Sequence, residues 1–447
     1  MDAIVKQRLL TSIHQDRLVL FLGAGVSIGP PSNLPSAARL AEEISAKYST
    51  RALPLDLPPG SENDLEKLAT FFVASGQQEY FLHNLIDWTP FNDRPNIGHA
   101  AVADLLTCEG LQVAVSTNYD RLIEKAAEAL GEKDFDAALD GVSVARPRRH
   151  RPLLKIHGCV RDKDHTLWSV IQLAKGTTSQ ANKELRTRVR RSHDWLKANL
   201  SHRDLVFVGF WSDWHYLNRL FSTSLRAVHP PMVVLVDPAD EGWLKAKAPT
   251  LWTWSHGTGV DFFHVPQTGN DFLNELRAAF SENFLQQSLI SGLNMMTIPP
   301  GTTAPATSFS GLDCPSLYDL RRDFNGVPSD RIARARTPDM SMTAASRVHL
   351  KLRIRGANLD GPDYILPDGT RVRVVNALTR ALYEVASDFS TEPPRVNNAD
   401  IVIAAGAEDT GPVATSIVRA TGVASVVRPG PVSEWITSHE AMSRGIL

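Results

Sequence analysis

Four short segments of this 447-residue chain carry side chains suited to chemistry. In Gly23-Ala24-Gly25-Val26-Ser27, two glycines and an alanine allow a tight turn that presents backbone N–H groups to a pyrophosphate, and Ser27 adds a hydroxyl. A glycine-rich turn of this kind also serves plain packing. In Thr117-Asn118-Tyr119-Asp120, Asn118 can donate and accept, which suits it to a ribose hydroxyl or an attacking water. Thr117 and Asp120 are candidate ligand contacts beside it, although Asp120 is equally placed to cap the helix starting at Arg121. Lys155-Ile156-His157-Gly158 sets an imidazole beside glycine, and histidine is the side chain that best moves protons near neutral pH. A lone histidine has a structural explanation too. Gly209-Phe210-Trp211-Ser212-Asp213 is another small-residue turn, in which Gly209, Phe210 and Ser212 can face phosphate or ribose. Asp237, after the apolar run MVVLV, matches the acidic residue that contacts adenosine ribose in dinucleotide folds, or else caps the next element.

These segments need a scaffold, and the patterning around them supplies one. Apolar runs at 17–22, 111–117, 153–156, 205–208 and 232–236 end at glycine, histidine, aspartate or threonine, as buried parallel strands do. Helical spacing over 5–15, 36–48, 66–85, 99–106 and 121–130 separates them. The alternation predicts an α/β fold, a Rossmann-like doubly wound parallel sheet with helical insertions. All of the candidate residues then lie at the carboxyl ends of strands, where open α/β sheets bind ligands.

A Pro, Thr, Ser and Gly-rich segment without charge, 297–312, reads as a linker. It divides the chain into an N-terminal domain over 1–296 and a smaller C-terminal α/β domain over 313–447. In the latter, 348–354 (VHLKLRI) alternates like a strand, 374–387 reads as helix and 401–405 as strand. The following turn, 406–411, is a candidate nucleotide contact, although an assembly role explains this domain equally well.

The balance of 47 basic and 49 acidic residues gives no global field for nucleic acid or anionic membrane, so direct nucleic-acid binding is not expected. Three scattered cysteines suit a reducing compartment, no run is apolar enough to span a bilayer, and the N-terminus lacks the pattern of a signal peptide; a cytoplasmic location is expected. Arginines at 146, 148, 149 and 151, and at 186, 188, 190 and 191, either meet a phosphate-bearing ligand or an acidic partner, or form a solvated face or salt bridges between subunits. The tryptophans at 211, 214, 243, 252 and 254 fit core or interface.

Taken in order, GAGVS, PNIGHAAVADLL leading into VSTNYD, KIHG and VGFWSD resemble the sirtuin-like superfamily over about residues 10–285, and look most similar to its bacterial members in antiphage defence. The resemblance implies an NAD site in which the GAGVS loop cradles the pyrophosphate, Asn118 positions water and ribose, and His157 is the catalytic base. The stretch 160–203, where deacylase sirtuins carry a cysteine-based zinc ribbon, contains no cysteine, so no metal is expected. What the resemblance implies is cleavage of NAD to nicotinamide and ADP-ribose, by an abortive-infection effector regulated by a partner or signal nucleotide. A homo-oligomer or a co-encoded defence protein (an ATPase, a nucleotide-processing enzyme or an Argonaute-like protein) is the expected assembly. The alternatives are a non-catalytic NAD-binding scaffold, or a protein deacylase or ADP-ribosyltransferase on the same cofactor site.

Overall fold

A computed structural model describes residues 1–50, 56–174, 180–298, 300–327, 336–390, 399–407 and 433–447. The chain forms two compact units, one of residues 1–129 and 133–276, the other of 130–132 and 277–447.

The first unit is built on a six-stranded parallel sheet. Its strands are β1 (Leu18–Leu22), β2 (Val113–Ser116), β3 (Leu153–Lys155), β4 (Asp204–Val208), β5 (Met232–Val236) and β6 (Asp261–Val265), in the order β3-β2-β1-β4-β5-β6. The first five are buried at every position, because helices cover both faces and leave no polar side to the alternation. β6 escapes a search for apolar runs: as the edge strand it is partly exposed and mixes Asp261 and His264 with its aromatics. The order runs outward from β1 to β3 on one side and from β4 to β6 on the other, which places a topological switch between β1 and β4.

Helices start where the caps direct. Ser36 accepts from Arg39 N–H at the head of Ala37–Ser49, and Asn96 accepts from Gly98 and His99 N–H at the head of Ile97–Thr107. The helix expected over 66–85 is interrupted: Leu65–Ala74 ends before Gly76, whose φ of 70° breaks the run, and Phe81–Leu85 resumes as a wider π turn.

The second unit holds a five-stranded mixed sheet in the order β11-β10-β9-β8-β7, comprising β7 (Asn358–Asp360), β8 (Asp363–Ile365), β9 (Arg371–Asn376), β10 (Ile401–Ala405) and β11 (Glu434–Thr437). β9, β10 and β11 are parallel, whereas β7 and β8 pair antiparallel. Two expectations are corrected here. Residues 348–354 belong to a helix, Thr343–Ile354, since Ala345, Val348 and Leu352 share one buried helical face and that burial outweighs the local alternation. Residues 374–376 finish strand β9; left-handed backbone at Leu378 and Thr379 then separates it from the helix Leu382–Ser390. The strand at 401–405 is present. Of the candidate turn after it, Gly406 and Ala407 are described and 408–411 lie outside the described residues.

Candidate functional site

The register of the first sheet lines up four strand ends. Leu22 pairs with Ser116 and with Val208, and Ser116 pairs with Lys155. The GAGVS, TNYD, IHG and GFWSD segments therefore all begin one residue past a common edge, side by side at the carboxyl end of the sheet. Asp237 leaves the same edge one strand further on, beyond the switch from His157. Its Oδ1 accepts from Ala239 N–H at 2.9 Å, the turn-capping alternative foreseen for it.

Glycine is required at the switch point itself. Gly209 has φ 56°, and a Cβ there would lie 2.5 Å from Gly25 Cα; a Cβ on Gly25 would lie 2.6 Å from Gly209 Cα. The loops after β1 and β4 thus touch backbone to backbone, with Gly25 N–H donating to Gly209 O at 3.0 Å. This contact uses some of the amides that sequence reasoning offered to a pyrophosphate. The N–H groups of Gly23, Gly25, Val26 and Ser27 are all committed within the protein, and Ala24 is the exposed residue of the loop. Phe210 is core, packed against Phe21 and Phe207 with ring centroids 5.5 and 5.4 Å away. Ser212 is half-buried on the following turn.

Ser27 is the hub of a buried network. Asn96 N–H donates to His99 Nδ1 at 3.2 Å, so in the neutral ring the proton sits on Nε2, which donates to Ser27 Oγ at 3.1 Å. Burial brings the His99 pKa down to about 4, against the pull of Asp120, and keeps the ring neutral. Ser27 in turn donates to Asp120 Oδ2 at 3.0 Å and accepts from Asn118 Nδ2 at 3.2 Å. A hydroxyl has one donor and two acceptor sites, and all three are filled. Asp120 meanwhile caps Leu122 N–H through Oδ1 at 3.1 Å.

The outcome is a fixed Asn118. Its Nδ2 donates to Ser27 Oγ at 3.2 Å and to Gly23 O at 3.0 Å, which leaves the side-chain carbonyl oxygen to accept a hydrogen bond from a ribose hydroxyl or water. Thr117 braces the same turn on β1 through Leu22 O. Below it, Lys155 and Glu124 form an ion pair of 2.8 Å, each 1% exposed, and Lys155 also donates to the Asp120 carbonyl. Burial works to lower the Lys155 pKa, yet Glu124, Cys159 and Asp120 outweigh it and hold the ammonium charged.

His157, at the tip of β3, is 1% exposed and neither ring nitrogen has a hydrogen-bond partner. It stacks on Trp214 with centroids 5.3 Å apart and planes 10° off parallel, and Tyr216 meets it edge-on at 5.0 Å. Burial drives its pKa down to about 3 and the Arg188 guanidinium acts the same way; the Thr117 backbone opposes both, at a geometry short of a hydrogen bond. The adjacent Gly158 has φ 104°, and a Cβ on it would meet Thr166 Cγ2 at 3.0 Å.

Sequence reasoning passed over His99, Trp214 as a cover for His157, and the Lys155–Glu124 pair. His99 had a signal: Asn96 and His99 bracket a helix start as a reciprocal capping box. The other two are contacts across long sequence separations.

Residues 112–256 match the model of the SIR2-like domain. The matched span contains Asn118, His157 and Gly209, while the GAGVS loop precedes it. Over 167 residues the chain is 26% identical to the NAD(+) hydrolase ThsA of Cytobacillus dafuensis, a match covering 37% of this chain and 31% of that protein. Solved Sir2 structures align at 15% identity with TM-scores of 0.33. One is a complex with a p53 peptide and NAD+, covering 62% of this chain and 97% of its own. Another is a Ser-to-Ala variant with ADP-ribose, covering 62% and 95%. Among the described residues no group of three or more His, Cys, Asp or Glu side chains is arranged to hold a metal ion.

Proposed function

We propose that this SIR2-like domain hydrolyses NAD to nicotinamide and ADP-ribose. The observation that carries the reading is the alignment of strand ends, with Asn118 anchored by Ser27 and Gly23 on one tip and a neutral, unpartnered His157 on the next. The similarity to an NAD(+) hydrolase supports it.

The chemistry asks little of the protein. In NAD the nicotinamide nitrogen is already cationic, so the C1′–N bond breaks with its electron pair leaving on neutral nicotinamide, through an oxocarbenium-like transition state. Water supplies the new C1′–O bond, and its proton passes to His157 and then to solvent. Asn118 orients that water or the ribose through its free carbonyl oxygen, and the GAGVS and GFWSD turns receive the rest of the dinucleotide at the β1–β4 switch. Gly23, Ala24, Gly25, Ser27, Thr117, Asp120, Gly209, Phe210, Ser212 and Asp237 line or support this path. A histidine held near pKa 3 is a poor base, so the sealed ring gains basicity only when the Trp214 side opens and polar groups reach it. That fits an abortive-infection enzyme held silent until a partner or signal nucleotide releases it.

The test is nicotinamide release from NAD by the purified full-length chain, alone and with its genomic neighbours, for wild type, Asn118→Ala and His157→Ala. Loss of about 10²–10⁴-fold in each variant is expected. Bound but unconsumed NAD under every condition would replace the hydrolase by a non-catalytic NAD-binding scaffold, and label transferred to protein would indicate a transferase.

A further inference from the structure

The arginine run at 186–191 separates into two behaviours. Arg186 donates to the Ala174 carbonyl, and Arg191 forms a salt bridge with Asp140 at 3.3 Å within the chain. Arg188 differs. Its Nε, Nη1 and Nη2 are all buried, and none has a hydrogen-bond partner. The guanidinium lies against the catalytic turn, with Nη1 3.1 Å from the place a Cβ of Gly158 would take. Tyr216, Asp162, Tyr119 and Asp140 act on it through space, yet none of them reaches hydrogen-bond distance.

Two sets of buried, unpartnered nitrogens therefore belong to one turn: a guanidinium with five N–H donors in a planar fork against Gly158, and the neutral imidazole of His157 with one donor and one acceptor. Native proteins rarely leave even one such group unsatisfied, and a buried charge without a partner is the costlier case. Around His157 lie aromatic rings, Trp214 stacked on it, Tyr119 tilted and Tyr216 edge-on, of which Trp214 is the most exposed. Tyr119 and Tyr216 already direct their hydroxyls elsewhere, to the Leu167 carbonyl at 2.7 Å and to His193 at 2.9 Å.

We propose that Arg188 and His157 together form a binding site for an oxyanion, the carboxylate or phosphate group of a ligand that enters past Trp214. Arg188 forms two parallel N–H···O bonds to it and His157 a third. The proposal takes from the hydrolase reading only that His157 lines a pocket, and its readout is binding, so the two can fail separately. Filling the site places a negative charge beside the imidazole and offsets the guanidinium, which by itself opposes both protonation of His157 and any cation forming nearby.

The experiment uses the full-length wild type, Arg188→Met and Arg188→Lys, with inorganic phosphate and benzoate as probes. Binding is followed by calorimetry and by tryptophan fluorescence, with Trp214→Phe isolating the contribution of Trp214 among the nine tryptophans. Saturable binding of either probe by wild type is expected, weakened about tenfold or more in Arg188→Met and partly retained in Arg188→Lys. Phosphate alone assigns a phosphate-bearing ligand, and benzoate alone an aryl carboxylate. Arg188→Met is expected to melt no lower than wild type, because it removes a buried charge that has no partner. No saturable binding by wild type, affinity unchanged in Arg188→Met, or a markedly lower melting temperature for that variant would each overturn the site. Nicotinamide release that fails while Arg188-dependent binding persists removes the hydrolase reading alone.

Discussion

Replacing Ser27 by alanine tests whether the buried network places Asn118. The substitution deletes one hydroxyl and three hydrogen bonds: one donated to the Asp120 carboxylate, and two accepted from His99 and Asn118. A bond to a charged group contributes about 1.5–3 kcal/mol and a neutral one about 0.5–1.5 kcal/mol. Because the three share one atom they are not additive, and the expected cost is about 3 kcal/mol. For a unit of this size that lowers Tm by about 6–12 °C, read by calorimetry or circular dichroism. Asn118 keeps its bond to Gly23 O and loses its second anchor, so kcat/KM for nicotinamide release is expected to fall about tenfold or more, with NAD affinity less affected. The double variant Ser27→Ala/Asn118→Ala then loses little beyond Asn118→Ala alone. A Ser27→Ala protein with wild-type Tm and turnover would refute the network, whereas a lower Tm with unchanged turnover would show that it supports the fold without placing Asn118.

Gly209→Ala puts a methyl into the Gly25 backbone at positive φ, and is expected to lower Tm and abolish NAD binding measured by calorimetry, while Gly259→Ala, at φ 80° but with open space around it, carries the backbone strain alone, about 1–3 kcal/mol, and leaves NAD binding intact. Lys155→Met strands the Glu124 charge and is expected to cost about 3–5 kcal/mol in denaturant unfolding, with much of that recovered when Glu124→Leu is added. Stability is expected to fall as pH drops from about 6.5 toward 4. His99 and His193 have folded pKa values near 4 and His157 near 3, below the ordinary 6.5, so the unfolded chain binds more protons through that window and is favoured by acid. Melting curves between pH 7 and 4 check this, and a His193→Gln variant is expected to show a shallower slope.

Several features could be recognised from residue order because their causes are local. Apolar runs ending in small or polar residues mark β1 to β5, and the same boundaries put the chemistry-bearing segments at strand ends. β6 carries no such mark because an exposed edge strand needs no apolar run, and helix 348–354 alternates like a strand because seven residues satisfy a period of 2 about as well as one of 3.6. Whether Ser27 offers its hydroxyl outward or inward is not a local question: Asp120 and His99, 93 and 72 residues away, decide it.

The kinds of side chain present and the edge of the sheet they occupy were therefore determined by the sequence itself, since turn-forming residues and buried runs act over a few positions. Tertiary structure alone decided what each group is free to do. It turned most of the glycine loop's amides inward, left Asn118 an acceptor, and enclosed His157 with an unpaired Arg188 31 residues downstream in the chain. Burial and the absence of a partner are properties of neighbours brought together by folding, and those properties set proton affinity and ligand preference.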